Sequence, residues 1–137
     1  MKPVLLILLL AFSSPALTQR REQTCFNYEP DAVTLSGTIK PRTFAGAPNY
    51  ESVAKGDARE DVWLLELRKP ICVAAKGDSE AENDVTEVQL VFSEGQKQYD
   101  RYRSLRGRRV TVIGTLFHAE TGHHHTKILL TVTDISR

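Results

Sequence analysis

The stretch from Gly114 to Val132 reads GTLFHAETGHHHTKILLTV and holds every histidine of the chain: His118, His123, His124 and His125. Imidazole titrates near neutral pH and is the commonest metal-ligating side chain. Three roles are open to the group: a metal site, proton-transfer catalysis, or a polar cap whose rings hydrogen-bond a turn. A metal such as Zn²⁺ or Cu²⁺ needs three or four ligands. The candidate set is His118 and His124, completed by His123 or Glu120. No cysteine and no Asp-x-His pattern joins them, and one hairpin rarely builds a whole site. Absent a further ligand, no cofactor is expected. Catalysis by a histidine also needs a positioned partner. The chain has no serine-nucleophile motif, no phosphate loop and no paired carboxylates at a familiar spacing. The expectation is a non-enzyme.

The elements that must carry these residues follow from hydrophobic period. Residues 32–40 alternate, with Val33, Leu35, Gly37 and Ile39 on one face, a half-buried strand that Pro41 ends or places at an edge. Gly37 marks a bend or close approach. A turn-rich segment, 45–50, and a charged stretch through Glu60 follow. Residues 61–67 form a second strand, continued by 71–74 past Pro70, and 85–92 a third. The charged segment 76–84 reads as a solvated loop. Residues 96–105 are helical, with Tyr99, Tyr102 and Leu105 as one apolar stripe and Gly107 as the stop. Trp63 reads as core.

The last two strands, 109–117 and 124–135, make a hairpin. Matching apolar residues sets Val112 opposite Leu130, Val110 opposite Val132, Gly114 opposite Ile128, Leu116 opposite Thr126 and His118 opposite His124. The loop is then 119–123, with Gly122 free to take positive φ. This register places His118 and His124 side by side on the inward face. It sends His125 outward beside Phe117 and leaves His123 in the turn. The order of strands and helix matches a mainly β fold, a small five-stranded OB-like barrel with one short helix between strands 3 and 4. An open β-sandwich or a different small barrel is the alternative.

The chain has 137 residues, room for one domain. Lys2, the apolar run 4–12 and the small residues 13–18 have the pattern of a secretory signal peptide, cleaved near 16–18. Residues 19–137 are then a single β-barrel domain in the periplasm or outside the cell. The formal charge is +1, too small to recruit nucleic acid or a membrane surface. No stable membrane insertion is expected. Two cysteines, Cys25 and Cys72, in an oxidising compartment read as a disulfide. In the chain-entropy picture its loop is worth about 4 kcal/mol.

The phrases VTLSGTI, WLLELxxPICV, VxxVQLV and GTLFHAxTGHHHT together resemble a family of small exported bacterial proteins catalogued only as a domain of unknown function. The resemblance covers about residues 25–135. It implies a bacterial envelope or secreted domain and carries no activity or residue roles.

Arg101, Arg103, Arg106, Arg108 and Arg109 cluster around the helix end. With few aromatics to stack bases, the cluster reads as a solvated patch or as a docking surface for an acidic protein rather than a nucleic-acid groove. The expected function is an exported, non-catalytic binding module, an inhibitor or immunity protein for an envelope-directed toxin or hydrolase. Its partner is a protein, and Phe117, His125, Arg106 and Arg108 are the candidate contacts. A metal-binding protein built on the histidine-rich hairpin is the alternative.

Overall fold

The computed structural model describes residues 25–137; the expected leader over 1–18 and the arm through residue 24 lie outside them. Five strands and one α-helix follow in order. They are β1 (Ala32–Ala45), β2 (Arg59–Val73), β3 (Glu82–Val91), α1 (Gln96–Tyr102), β4 (Arg109–His118) and β5 (Ile128–Ser136). The architecture is mainly β, with its one helix between the third and fourth strands. The strands close in the order β1-β2-β3-β5-β4. Strand β4 returns to pair with β1, and among the five strands the β3–β5 pair is parallel and the others antiparallel.

Alternation along the strands fills the interior. Val33, Leu35, Ile39, Leu65, Val88, Leu90, Val112, Leu116 and Leu130 are buried in one cluster. Helix α1 and the 3-10 turn Arg103–Leu105 lay Tyr99, Tyr102 and Leu105 on it. Trp63 is core, edge-on to Phe92 and Tyr99. Gly107 has φ 72° just past the helical segment, as a stop glycine should. Cys25 and Cys72 form a disulfide.

Strand β1 runs on past Pro41, which does not end it. The β1–β4 ladder finishes at Thr38–Arg109, so beyond that pair one edge of β1 has no neighbouring strand among the described residues. A proline there removes no ladder bond. Strand β2 passes through Pro70, as expected, with its β3 register shifting between Glu66 and Ile71. Gly37 is a close approach: a Cβ there would lie 2.3 Å from the Glu66 carbonyl oxygen.

The hairpin register differs from the expected one. Leu116 pairs with Leu130, Gly114 with Val132 and His118 with Ile128, and a bulge lies between Ile113 and Gly114. The expected pairing placed Leu116 opposite polar Thr126. The observed one sets two fully buried leucines together and brings Thr131 against Gly114, where a Cβ would meet the Thr131 oxygen at 2.0 Å. Strand β5 therefore starts at Ile128, and the connection from β4 is residues 119–127. His124 is not on a strand, and the expected His118–His124 pair does not form.

Candidate partner-binding loops

Cross-strand neighbours share a face of a sheet. The pairs Phe44–Glu60, Leu64–Gln89 and Gln89–Leu129 define a row on the outside of the barrel, joined by Val62 two residues along β2. An outer face should be wet, yet Val62, Leu64, Gln89 and Leu129 are all buried. Loop 119–127 folds back over them. Gln89, 6% exposed, is its anchor. The Gln89 Nε2 donates to the His123 carbonyl (3.1 Å), and its Oε1 accepts from the His125 N–H (2.7 Å). The Gln89 N–H donates to Thr126 Oγ1 (2.9 Å). A primary amide offers both a donor and an acceptor, so one side chain satisfies two backbone groups of an irregular loop.

Glu60 joins this loop to the start of β2. His123 Nδ1 lies 2.5 Å from Glu60 Oε1, and His125 Nε2 lies 2.8 Å from Oε2. Both rings donate to the carboxylate. His125 stacks flat on Phe44, with centroids 4.2 Å apart, and its side chain is only 9% exposed. Burial pushes the Glu60 carboxyl up. The hydrogen bonds from His125 and His123 outweigh it, and the group sits below its ordinary value. His125 therefore lies on the outer face but against Phe44 rather than beside Phe117. Phe117 instead meets His124 edge-on.

The loop from β1 to β2, residues 46–58, folds around Asp57. One carboxylate oxygen accepts from the backbone N–H and side-chain amide of Asn49, both at 3.0 Å. The other accepts from the N–H groups of Glu51 (2.9 Å) and Ser52 (2.8 Å). The N–H groups of Ser52 and Glu51, then those of Asn49, lower the Asp57 pKa to about 2. Since the folded-state value lies below the ordinary 3.8, the stability Asp57 contributes is complete above about pH 4 and is lost as pH falls toward 2. In a pH titration of unfolding, Asp57→Asn is expected to lower stability at neutral pH and to flatten the acid limb between pH 4 and 2. An acid limb unchanged by the substitution would contradict this role.

This loop displays two apolar residues, Tyr50 (40% exposed) and Val53 (42%). Tyr50 has φ 58°, a left-handed conformation rare for a bulky residue. Its hydroxyl lies 3.4 Å from His123 Nε2. Its ring lies against Gly122, where a Cβ would be 2.8 Å from Cζ. Gly122 is thus needed for this contact and not, as expected, for positive φ. The two loops form one continuous surface.

The remaining candidate residues lie apart from this clasp. His118, at the end of β4, faces Glu82 Oε1 at 3.2 Å through Nε2 and the Ala119 carbonyl at 3.1 Å through Nδ1. Lys127 donates to the other Glu82 oxygen, and the bonds from Lys127 and then His118 lower the Glu82 pKa. His124 turns back into its own loop, its Nδ1 accepting from the N–H groups of Glu120 (2.8 Å) and Thr121 (3.3 Å). Burial lowers its pKa. Glu120 contributes its backbone to that contact. The proposed ligand set of His118, His123, His124 and Glu120 is therefore divided among three separate contacts. Among the described residues no three His, Cys, Asp or Glu side chains are grouped to hold a metal ion. Arg106 lines a groove beside α1, and Arg108 is exposed outside it.

Sequence reasoning missed Glu60, Asp57, Gln89 and Glu82. One signal was present. Glu60, Val62 and Leu64 occupy alternate positions, so a carboxylate ends an apolar strand face. Asp57 and Gln89 had no such mark.

The fold and its loops define a small, disulfide-bonded, mainly β protein whose loops 46–58 and 119–127 meet in one surface. Residues 87–136 match the family model described as Domain of unknown function (DUF4431). The match runs from the middle of β3 to the end of β5, with Gln89 and all four histidines, but not Glu60, Asp57 or Tyr50. It is narrower than the resemblance over 25–135. No curated protein matches the chain.

Proposed function

We propose that the protein is an exported, non-catalytic binding module that recognises a protein partner through the joined loops 46–58 and 119–127. An inhibitor or immunity protein for an envelope-directed toxin or hydrolase is the concrete form of this reading. The observation that carries it is Tyr50. A tyrosine in a strained backbone conformation is held out on a loop braced by Asp57 and clasped through His123 and Glu60. Strain of this kind is kept where the surroundings enforce it, most often at functional sites. Pre-organised aromatic residues dominate binding hot spots.

The strand order and helix position support an OB-like barrel. In such barrels the β2–β3 face and its flanking loops take oligonucleotides or oligosaccharides. Here the chain's own loop fills that face, which favours a protein bound at the loops themselves. The disulfide suits an oxidising compartment. Among the described residues no helix is long and apolar enough to cross a membrane.

The test is affinity capture from envelope extract with the wild type and a Tyr50→Ala, Val53→Ala double variant. The wild type is expected to retain a defined protein, and the variant to retain roughly a tenth or less, the scale of one lost hot spot. Equal retention by both proteins, or turnover of an envelope substrate by the wild type, would overturn the reading.

A further inference from the structure

The groove beside α1 combines residues far apart in sequence. One part, about 420 Å³, is lined by Trp63, Tyr99, Asp100, Arg103 and Arg106. A second, about 250 Å³, is lined by Arg42, Thr43 and Arg59. Asp61, Trp63 and Arg106 belong to both, so the two parts adjoin between the base of loop 46–58 and the helix. Four guanidinium groups border the groove, against two carboxylates.

Both carboxylates are already committed. Asp61 accepts from Thr43 Oγ1 (2.5 Å) and Arg59 Nε (3.2 Å). Asp100 accepts from Gln96 Nε2 (3.0 Å) and Arg103 Nη2 (2.5 Å). These contacts hold Arg59 and Arg103 in place. Arg42 and Arg106 have no carboxylate partner among the described residues; Arg106 only donates its Nε to the Arg103 carbonyl at 3.3 Å. Two uncompensated guanidinium groups thus flank a groove floored by Trp63. A planar fork of N–H donors matches a carboxylate with two parallel hydrogen bonds.

We infer that this groove is a second contact site that takes an acidic, carboxylate-bearing segment of the protein partner, with Arg42 and Arg106 as its anchors. The inference rests on the proposed role as a protein-binding module and extends it to the partner's chemistry. The groove adjoins loop 46–58 through Arg59 and Thr43, so one partner can engage both.

Trp63 is the one tryptophan of the chain and lies in the groove, so its fluorescence reports occupancy. The disulfide-intact protein is titrated at low salt with a Glu-Ser repeat peptide, and with a Gln-Ser repeat as neutral control. The acidic peptide is expected to shift Trp63 emission saturably, and added salt to weaken it. Arg42→Glu with Arg106→Glu should weaken binding roughly tenfold or more, Arg42→Gln with Arg106→Gln less, and Arg68→Glu on another face hardly at all. Circular dichroism and the unfolding midpoint verify that each variant is folded. No saturable wild-type response overturns the inference, and so does equal loss in the Arg68 variant. Displacement of the peptide by a sulfated oligosaccharide or single-stranded DNA at lower concentration also overturns it, because the groove would then select polyanions of another class. If the Arg42/Arg106 variant keeps the captured partner while the Tyr50/Val53 variant loses it, the groove assignment fails and the module reading stands. If the peptide binds through the arginines but extract yields no partner, the groove stands and the module reading fails.

Discussion

Replacing Cys25 and Cys72 together by serine is expected to lower stability by about 4 kcal/mol, the loop-closure entropy that the bridge removes from the unfolded chain. The two residues are separated by 47 positions. Cys72 lies near the end of β2 and is buried. The segment it tethers holds to β2 by two backbone bonds, Phe26 N–H to the Cys72 carbonyl and Ala74 N–H to the Phe26 carbonyl. A little further on, buried Tyr28 donates its hydroxyl to the Glu80 carbonyl. Local contacts therefore survive the substitution, and the loss falls chiefly on the unfolded-state side. Urea unfolding of the oxidised wild type and the double-serine protein gives the comparison. The variant should keep the wild-type far-ultraviolet spectrum at low denaturant and unfold at a clearly lower midpoint. Coincident midpoints would show that the bridge restricts the unfolded chain hardly at all.

Gln89→Ala is expected to cost about 2–4 kcal/mol and to release loop 119–127. Each hydrogen bond lost contributes about 0.5–1.5 kcal/mol, and the void left by the buried Gln89 side chain adds to that. The substitution strands the His123 carbonyl and the His125 N–H while leaving a void beneath them. The Gln89 backbone bond to Thr126 remains, so the loop's end near Ile128 should hold. Gln89→Glu is the sharper variant. It keeps the acceptor for His125 N–H, removes the donor for the His123 carbonyl and adds a buried charge. Limited proteolysis should cut both variants within 119–127 while the barrel core stays resistant. Hydrogen exchange should show faster exchange at the His125 amide. Unchanged protection there, with unchanged stability, would mean that Glu60 and the Phe44–His125 stack hold the loop by themselves.

The two substitutions act on different parts of the molecule. The disulfide lies at the start of the described chain, whereas Gln89 holds the loop that meets Tyr50. A partner-binding defect in the Gln89 variants without a comparable one in the double-serine protein would tie recognition to loop order rather than to global stability.

Much of the fold was legible in residue order because it rests on local periodicity. The alternation of Val33, Leu35 and Ile39 marks an inward strand face, and the Tyr99–Tyr102–Leu105 stripe marks a helix lying on the core. The disulfide followed from counting two cysteines behind a stretch that reads as an export leader. The histidine region was not legible in the same way. A β-hairpin pattern repeats every two residues, so shifting Leu116 from Thr126 to Leu130 leaves the alternation intact. The choice was made by the close approach of Thr131 to Gly114 and by burial of two leucines, both tertiary facts. That shift lengthened the loop, freed His124 from any strand and turned His125 onto Phe44.

By itself, then, the sequence determined the class of protein: a mainly β domain, a helix between the third and fourth strands, one bridge, and histidines gathered at one connection. Only the tertiary structure decided what those histidines meet. Glu60 lies 63 residues before His123 and 65 before His125, and Gln89 lies 36 before His125. No local pattern encodes a contact across such distances. It exists because barrel closure brings the start of β2, the outer row of β3 and the β4–β5 loop to the same place, where a carboxylate and an amide satisfy the loop's donors and acceptors.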